Sequence, residues 1–208
     1  MGNVMNLSMK IALAGMLFFC QTIAGQTNPY KIDDQLYAYY QRCNQVIKAP
    51  KVMLMADTLF QMATGKGDVK AQCLAKNLKA DYYYYTNNID SLLTEKEKVA
   101  NFARKTPYKQ YVFGAWNRII IYYLRHREYD SAIQELKKYQ DEAIRLNNSY
   151  GIGQSYILTG DVYFQQKMNN IAIKQYRQAA DFYQSNGKEN ELYYPYYTIS
   201  ACYTNIRQ

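Results

Sequence analysis

Five aromatic-rich segments of this chain fall into one register, and that register constrains the fold more than any other feature of the sequence. Aligned on a central position, they read Tyr40, Asn44, Ile47; Lys76, Ala80, Tyr83; Trp116, Ile120, Tyr123; Tyr156, Gly160, Tyr163; and Tyr196, Ser200, Tyr203. The central positions are spaced by 36 residues and then three times by 40. Equal periods of this length are the mark of stacked supersecondary units, none of which buries its apolar face alone. Twelve residues after each of the first four centres a second apolar stretch opens, on Ala56, Leu92, Ala132 and Ala172. Within these stretches Ala132, Leu136 and Tyr139, and likewise Ala172, Tyr176 and Ala179, recur at helical intervals. The unit is therefore a hairpin of a helix A and a helix B.

Starts and stops agree with that division. Pro50 and Thr106-Pro107 suit a first helical turn, Asp130 and Asn170 suit N-caps, and Gly65-Lys66-Gly67 and Asn186-Gly187 suit chain reversals after a helix. The expected fold is all-α, one domain over residues 26–208, with a fifth helix A near Glu191 to Arg207 that has no helix B after it. Tyr83, Tyr123, Tyr163 and Tyr203 are in repeat register and are expected in the core.

The N-terminus indicates export. Lys10 is followed by the apolar run Ile11 to Cys20 and then by small residues at Thr22, Ala24 and Gly25, the pattern of a cleaved signal peptide over residues 1–25. The run is too short to span a bilayer, which takes about 20 apolar residues. Phe19 before Cys20 argues against lipoprotein acylation, so Cys20 is expected to leave with the signal. An uncleaved anchor is the alternative. The expected compartment is the periplasm or another exported location, with no membrane insertion of the mature chain.

Cys43, Cys73 and Cys202 remain, an odd number without a CxxC spacing, which gives no disulfide framework. They are expected to be buried thiols, with a Cys43 to Cys73 bridge as the alternative. The net charge of +8, one less without Lys10, would suggest nucleic acid in a cytoplasmic protein; export argues against it, and the charge reads as a solvated surface.

Trp116, Ile119, Tyr123, Ala132, Leu136 and Tyr139 resemble the tetratricopeptide (TPR) pattern, and Tyr156, Gly160, Tyr163, Ala172, Tyr176 and Ala179 resemble it more closely. The resemblance implies a right-handed solenoid of about four and a half hairpins, with Gly160 letting helices A and B approach. The period of 40 exceeds the usual value of about 34, and the extra residues are expected to lengthen helix B and its loop. Ile120 stands where a small residue is usual, and the first two units match poorly.

In a TPR array helix A lines the concave groove. The family pattern then implies binding positions at Asn77, Asp81, Tyr84, Tyr85, Asn117, Arg125, Gln154, Asp161 and Gln165. These do not form the basic clamp that some TPR domains use for a C-terminal carboxylate. On the fifth helix, Tyr193, Tyr196 and Tyr203, with Tyr194 and Tyr197, are expected to stay partly uncovered, as a cap or as a docking edge for self-association. Segments Met55 to Phe60 and Asn87 to Leu93 are similar to the periplasmic TPR sensor region of bacterial histidine kinases.

Catalytic patterns are absent from this reading. His126 is the sole histidine, in an Arg-His-Arg turn, which leaves no histidine metal cluster and no triad. Gly151-Ile-Gly153 lacks the third glycine of a dinucleotide fingerprint and reads as a bend between hairpins. The acid pairs Asp33-Asp34, Glu95 with Glu97, and Asp141-Glu142 read as helix surface. The expected function is non-catalytic, with no cofactor and no metal. Three roles stand in order: a sensory or recognition module binding a peptide, protein or small ligand, a scaffold joining two proteins, and, far below both, an enzyme.

Overall fold

A computed structural model describes residues 27–206, and among these it contains helices and no strands. The α-helices are α1 (Asp34–Gln45), α2 (Lys51–Gly65), α3 (Val69–Tyr85), α4 (Ile89–Ala103), α5 (Val112–Arg125), α6 (Tyr129–Arg145), α7 (Ser149–Gln165), α8 (Asn169–Ser185) and α9 (Tyr193–Ile206). Short 3-10 turns at Lys109–Tyr111 and Glu189–Glu191 precede α5 and α9. The signal segment lies outside the described residues. No described helix is long and apolar enough to cross a membrane.

Each helix packs on the next, and α1 with α3, α3 with α5 and α5 with α7 make a second set of direct contacts. This packing is consistent with a helical repeat. The residues that open the second stretches, Ala56, Leu92, Ala132 and Ala172, are all fully buried. They sit where each even-numbered helix meets its neighbours. The largest cluster runs from α3 to α7 around Phe113, Trp116, Ile119 and Tyr139, a second joins α1 to α3 around Leu36, Leu59 and Leu78, and smaller ones join α7, α8 and α9 around Tyr176 and Tyr183.

The turns carry a finer period than the aromatic register. Gly67, Asn87, Arg127, Asn147, Lys167 and Gly187 all have positive φ, between 46° and 67°. They fall on one comb of 20 residues with a single missing tooth, at 107. At each, the next residue's backbone N–H, from Asp68, Asn88, Glu128, Asn148, Met168 and Lys188, donates back to the carbonyl of Ala63, Tyr83, Tyr123, Ala143, Tyr163 and Tyr183, every bond 2.9 Å long. This is the closure that satisfies a helix's last carbonyls with one left-handed residue. In five of the six the residue completing the closure is also the N-cap of the following α-helix, and Lys188 caps the 3-10 turn before α9.

At the missing tooth stands Pro107, whose ring fixes φ near −65° and forbids the left-handed conformation. The junction there is different: Thr106 turns the chain, its hydroxyl donating to Ala103 O at 2.8 Å and accepting from Tyr108 N at 3.1 Å, and a 3-10 turn replaces the first turn of α5.

Several local expectations are corrected. Thr106-Pro107 lies in this junction and not in a helical first turn. Glu128 and Met168, not Asp130 and Asn170, occupy the N-cap positions, and neither makes a side-chain cap bond. Effective side-chain caps are Asp33, Asp68, Asn88 and Asn148. The added length is shared, since α3 and α7 have 17 residues, as do α6 and α8.

Gly151 and Gly153 lie inside α7 and not in a bend. A Cβ on Gly151 would fall 2.7 Å from the Phe113 ring, and one on Gly153 would collide with Tyr183. These glycines, with Gly160 against Tyr176, let neighbouring helices lie close to α7.

The in-register tyrosines are also corrected: Tyr83, Tyr123 and Tyr163 are half-buried and Tyr203 is exposed. The buried neighbour is one residue later at Tyr84 and Leu124, and one residue earlier at Val162 and Cys202. The deep tyrosines are Tyr139, Tyr176 and Tyr183, on even-numbered helices.

Candidate functional site

The odd-numbered helices touch one another in sequence, so their shared face is the natural place to build the site. From α3, Asp81 Oδ1 accepts a 2.6 Å bond from Arg118 Nε of α5. The Asp81 charge raises the Arg118 guanidinium above its ordinary value. Tyr84, one turn after Asp81, is buried, and the guanidinium carbons of Arg118 and Arg125 lie 5.5 and 5.4 Å from its ring centroid. Two arginines seven residues apart on α5 thus hold one ring between α3 and α5. Tyr85 meets Tyr84 edge to face at 5.1 Å, and Lys48 Nζ lies 5.9 Å from the Tyr85 ring.

Further along the same face, Asn117 Nδ2 donates to the Tyr150 hydroxyl of α7 at 3.4 Å, while Asn117 Oδ1 is buried without a partner among the described residues. Burial raises the phenols of Tyr40, on α1, and Tyr150. Both therefore stay neutral donors through the physiological range.

The structure brings Asp81, Tyr84, Tyr85 and Arg125 together, and adds Arg118, Lys48 and Tyr150, which the sequence reading missed. Tyr84 is a buried platform under the arginines and not an open groove side chain. Asn77 is turned into the α3–α5 contact, donating to Cys73 O at 3.0 Å and filling the space that a Cβ on Gly114 would need. Gln154 and Gln165 are half-buried on α7, and the Gln165 backbone carbonyl accepts from Tyr129 at 3.4 Å. Asp161 faces α8 and α9, where its Oδ1 accepts from Tyr176 at 2.7 Å and from Tyr194 at 3.1 Å. Arg118 had a sequence signal: it lies 37 residues after Asp81, close to one period, on the equivalent helix.

The proposed docking edge on α9 divides. Tyr193, Tyr196 and Tyr203 are exposed, at 68, 53 and 42%, as is Tyr197. Tyr194 turns inward to Asp161, and the Tyr203 hydroxyl accepts from Arg177 at 2.8 Å.

Cys43, Cys73 and Cys202 are free, buried thiols, each pushed up to about 11 by desolvation. His126 is exposed in the turn after α5, with Nδ1 2.8 Å from Tyr122 O and its ring stacked on Tyr122. Among the described residues, no group of three His, Cys, Asp or Glu could hold a metal ion. What the face offers is hydrogen bonding, aromatic stacking and guanidinium contacts. The chain matches no family model and no curated protein.

Proposed function

We propose that the chain is a non-catalytic recognition module of the bacterial envelope, folded as a right-handed TPR-like solenoid of about four and a half hairpins and exported by residues 1–25. A peptide, protein or small ligand binds the face shared by the odd-numbered helices, and the role is sensory. The supporting observation is the continuous row of α1, α3, α5 and α7, with Asp81 and Arg118 bridging α3 to α5 and Asn117 and Tyr150 bridging α5 to α7. Such a face positions polar and aromatic groups on rigid elements without committing any to a reaction.

Photo-crosslinking in cells tests this. A benzoyl-phenylalanine at Gln154 or Arg125 is expected to capture a discrete partner, while one at Leu54 or Ile144, exposed on even-numbered helices, captures none. Capture only from the even-numbered helices overturns the assignment of the face. Export is checked by the N-terminal sequence of the envelope fraction, expected to begin near Gln26.

A scaffold role is the second reading, favoured by the exposed Tyr193, Tyr196, Tyr197 and Tyr203 on α9. Light scattering on wild type and on a variant with Tyr193, Tyr196 and Tyr203 changed to polar residues separates the two. Self-association lost in the variant favours scaffolding through that edge; monomers in both direct attention to the odd-helix face.

A further inference from the structure

Asp161 differs from the other enclosed carboxylates of the molecule. Asp81 pairs with Arg118; Glu95 with Lys98; Glu135 with Lys138 and, at 4.0 Å, Lys96; Glu142 with Arg104 and Arg145. Asp161 has no ion pair among the described residues, and its partners are two neutral phenols from two different helices. Both hydroxyls converge on one oxygen, Oδ1, so a single carboxylate of α7 ties α8 through Tyr176 and α9 through Tyr194.

We propose that Asp161 is a protonation-dependent latch that holds α9 on the α7–α8 pair, closed more tightly when the carboxyl is protonated. A carboxylate charge enclosed by three helices without a cation costs free energy, and undocking α9 removes one wall and lets water reach it. The neutral acid has no such cost and keeps an oxygen to accept from both phenols. The docked arrangement therefore favours the proton.

The groups around the latch leave it alone in its titration range. From α8, Tyr176 is raised well above its ordinary value by burial, and from α9 Tyr194 is raised in the same way. Cys202 of α9, the other group that senses the Asp161 charge, is pushed up to about 11 by desolvation. From α6, Tyr129 reaches the Gln165 carbonyl four residues further along α7, and on α5 Arg118 is committed to Asp81. Arg177 of α8 is bonded to Tyr203. Asp161 itself is pushed up to about 6 by desolvation, against which the two phenol bonds work. The sign follows: a carboxyl raised in the folded state stabilises below its unfolded value of 3.8, and that contribution is lost as pH rises through about 6.

Native-state hydrogen exchange on the full chain, corrected for intrinsic rates, tests the latch. The opening equilibrium of the α9 amides is expected to rise about ten-fold or more between pH 4.5 and 7.5. A full shift of two units gives roughly a hundred-fold only over a range that begins below the unfolded value of 3.8, so this window captures part of it, and the partial exposure of the site reduces it further. Asp161→Asn keeps an acceptor but cannot ionise, and its α9 opening is expected to be flat over this range and slower than wild type at pH 7.5. Tyr194→Phe, which leaves Asp161 in place, is expected to retain a pH response. An α9 opening that varies equally with pH in wild type and Asp161→Asn, or that is unchanged in both, overturns the proposal. A carboxyl carbon resonance of Asp161 titrating near 4 overturns it as well.

Discussion

The middle of the molecule and its C-terminal end solve the same problem, an acid enclosed between helices, in opposite ways. Between α4, α5 and α6, Glu135 accepts 2.7 Å from Lys138 and 2.8 Å from Trp116 Nε1, with Lys96 at 4.0 Å and itself stacked 4.6 Å from the Trp116 ring centroid. Burial alone would push Glu135 up, but these donors and charges together hold it below its ordinary value. Glu142 is lowered first by the bond from Arg145 and further by Arg104. Between α7, α8 and α9, Asp161 receives only neutral donors and is raised. Desolvation pushes all three acids up; at Glu135 and Glu142 the bonds and charges of cationic partners outweigh it, and at Asp161 two neutral donors do not.

Removing the middle's carboxylate should have the largest effect. Glu135→Ala leaves Lys96, 9% exposed at its side chain, with only the neighbouring Glu97, and leaves the Trp116 N–H unpaired. A loss of about 3 kcal/mol in urea unfolding is expected. At the other end, Gly160→Ala places a Cβ 2.5 Å from the fully buried Tyr176 ring, which is tethered to Asp161 and so cannot move freely. About 2 kcal/mol is expected there, together with loss of the pH response of α9.

Acid sharpens the contrast without any substitution. From pH 7 to about 4.5 the α9 end should tighten by roughly ten-fold in its opening equilibrium, as Asp161 takes up its proton. The middle holds steady in that window. Its lowered glutamates contribute above their unfolded value of 4.5, and that contribution is lost only as pH falls below it. Amide exchange measured helix by helix across pH 3 to 8 separates the two curves.

The smallest expected effect is in the turns. Arg127 and Lys167 hold positive φ at 60° and 62° with full side chains. Glycine relieves roughly 1–2 kcal/mol of left-handed strain but restores chain entropy worth roughly 0.5–1. Arg127→Gly and Lys167→Gly should each raise stability by about 0.5 kcal/mol in urea unfolding.

The helical hairpins were legible in the sequence because apolar residues at a fixed period report burial directly, as Trp116, Ile120 and Ala132 do. Turn residues were harder. Gly67 and Gly187 announce a reversal, but Arg127 and Lys167 occupy the same geometry and carry no local signal. Only their spacing from the glycines reveals them. The register of Tyr83 and Tyr84 could not be fixed either, because adjacent tyrosines have the same hydrophobicity, and the arginines from α5 select which one is enclosed. Asp81, Tyr84, Tyr85 and Arg125 came from the repeat pattern, whereas Arg118 and Tyr150 depend on which helix faces approach across one period.

The 20-residue comb also bears on how the chain acquires its structure. Close packing joins helices that are first or second neighbours in sequence, so ordering a new helix closes only a short loop. Assembly can then spread as a zipper, fast and from more than one starting place. Pro107 interrupts the comb of turns, with four helices before it and five after among the described residues. The comb is broken there but the packing is not, since the largest core cluster continues from α3 to α7 across the proline junction, so an unzipping that starts at α9 meets its firmest resistance in the middle of the molecule.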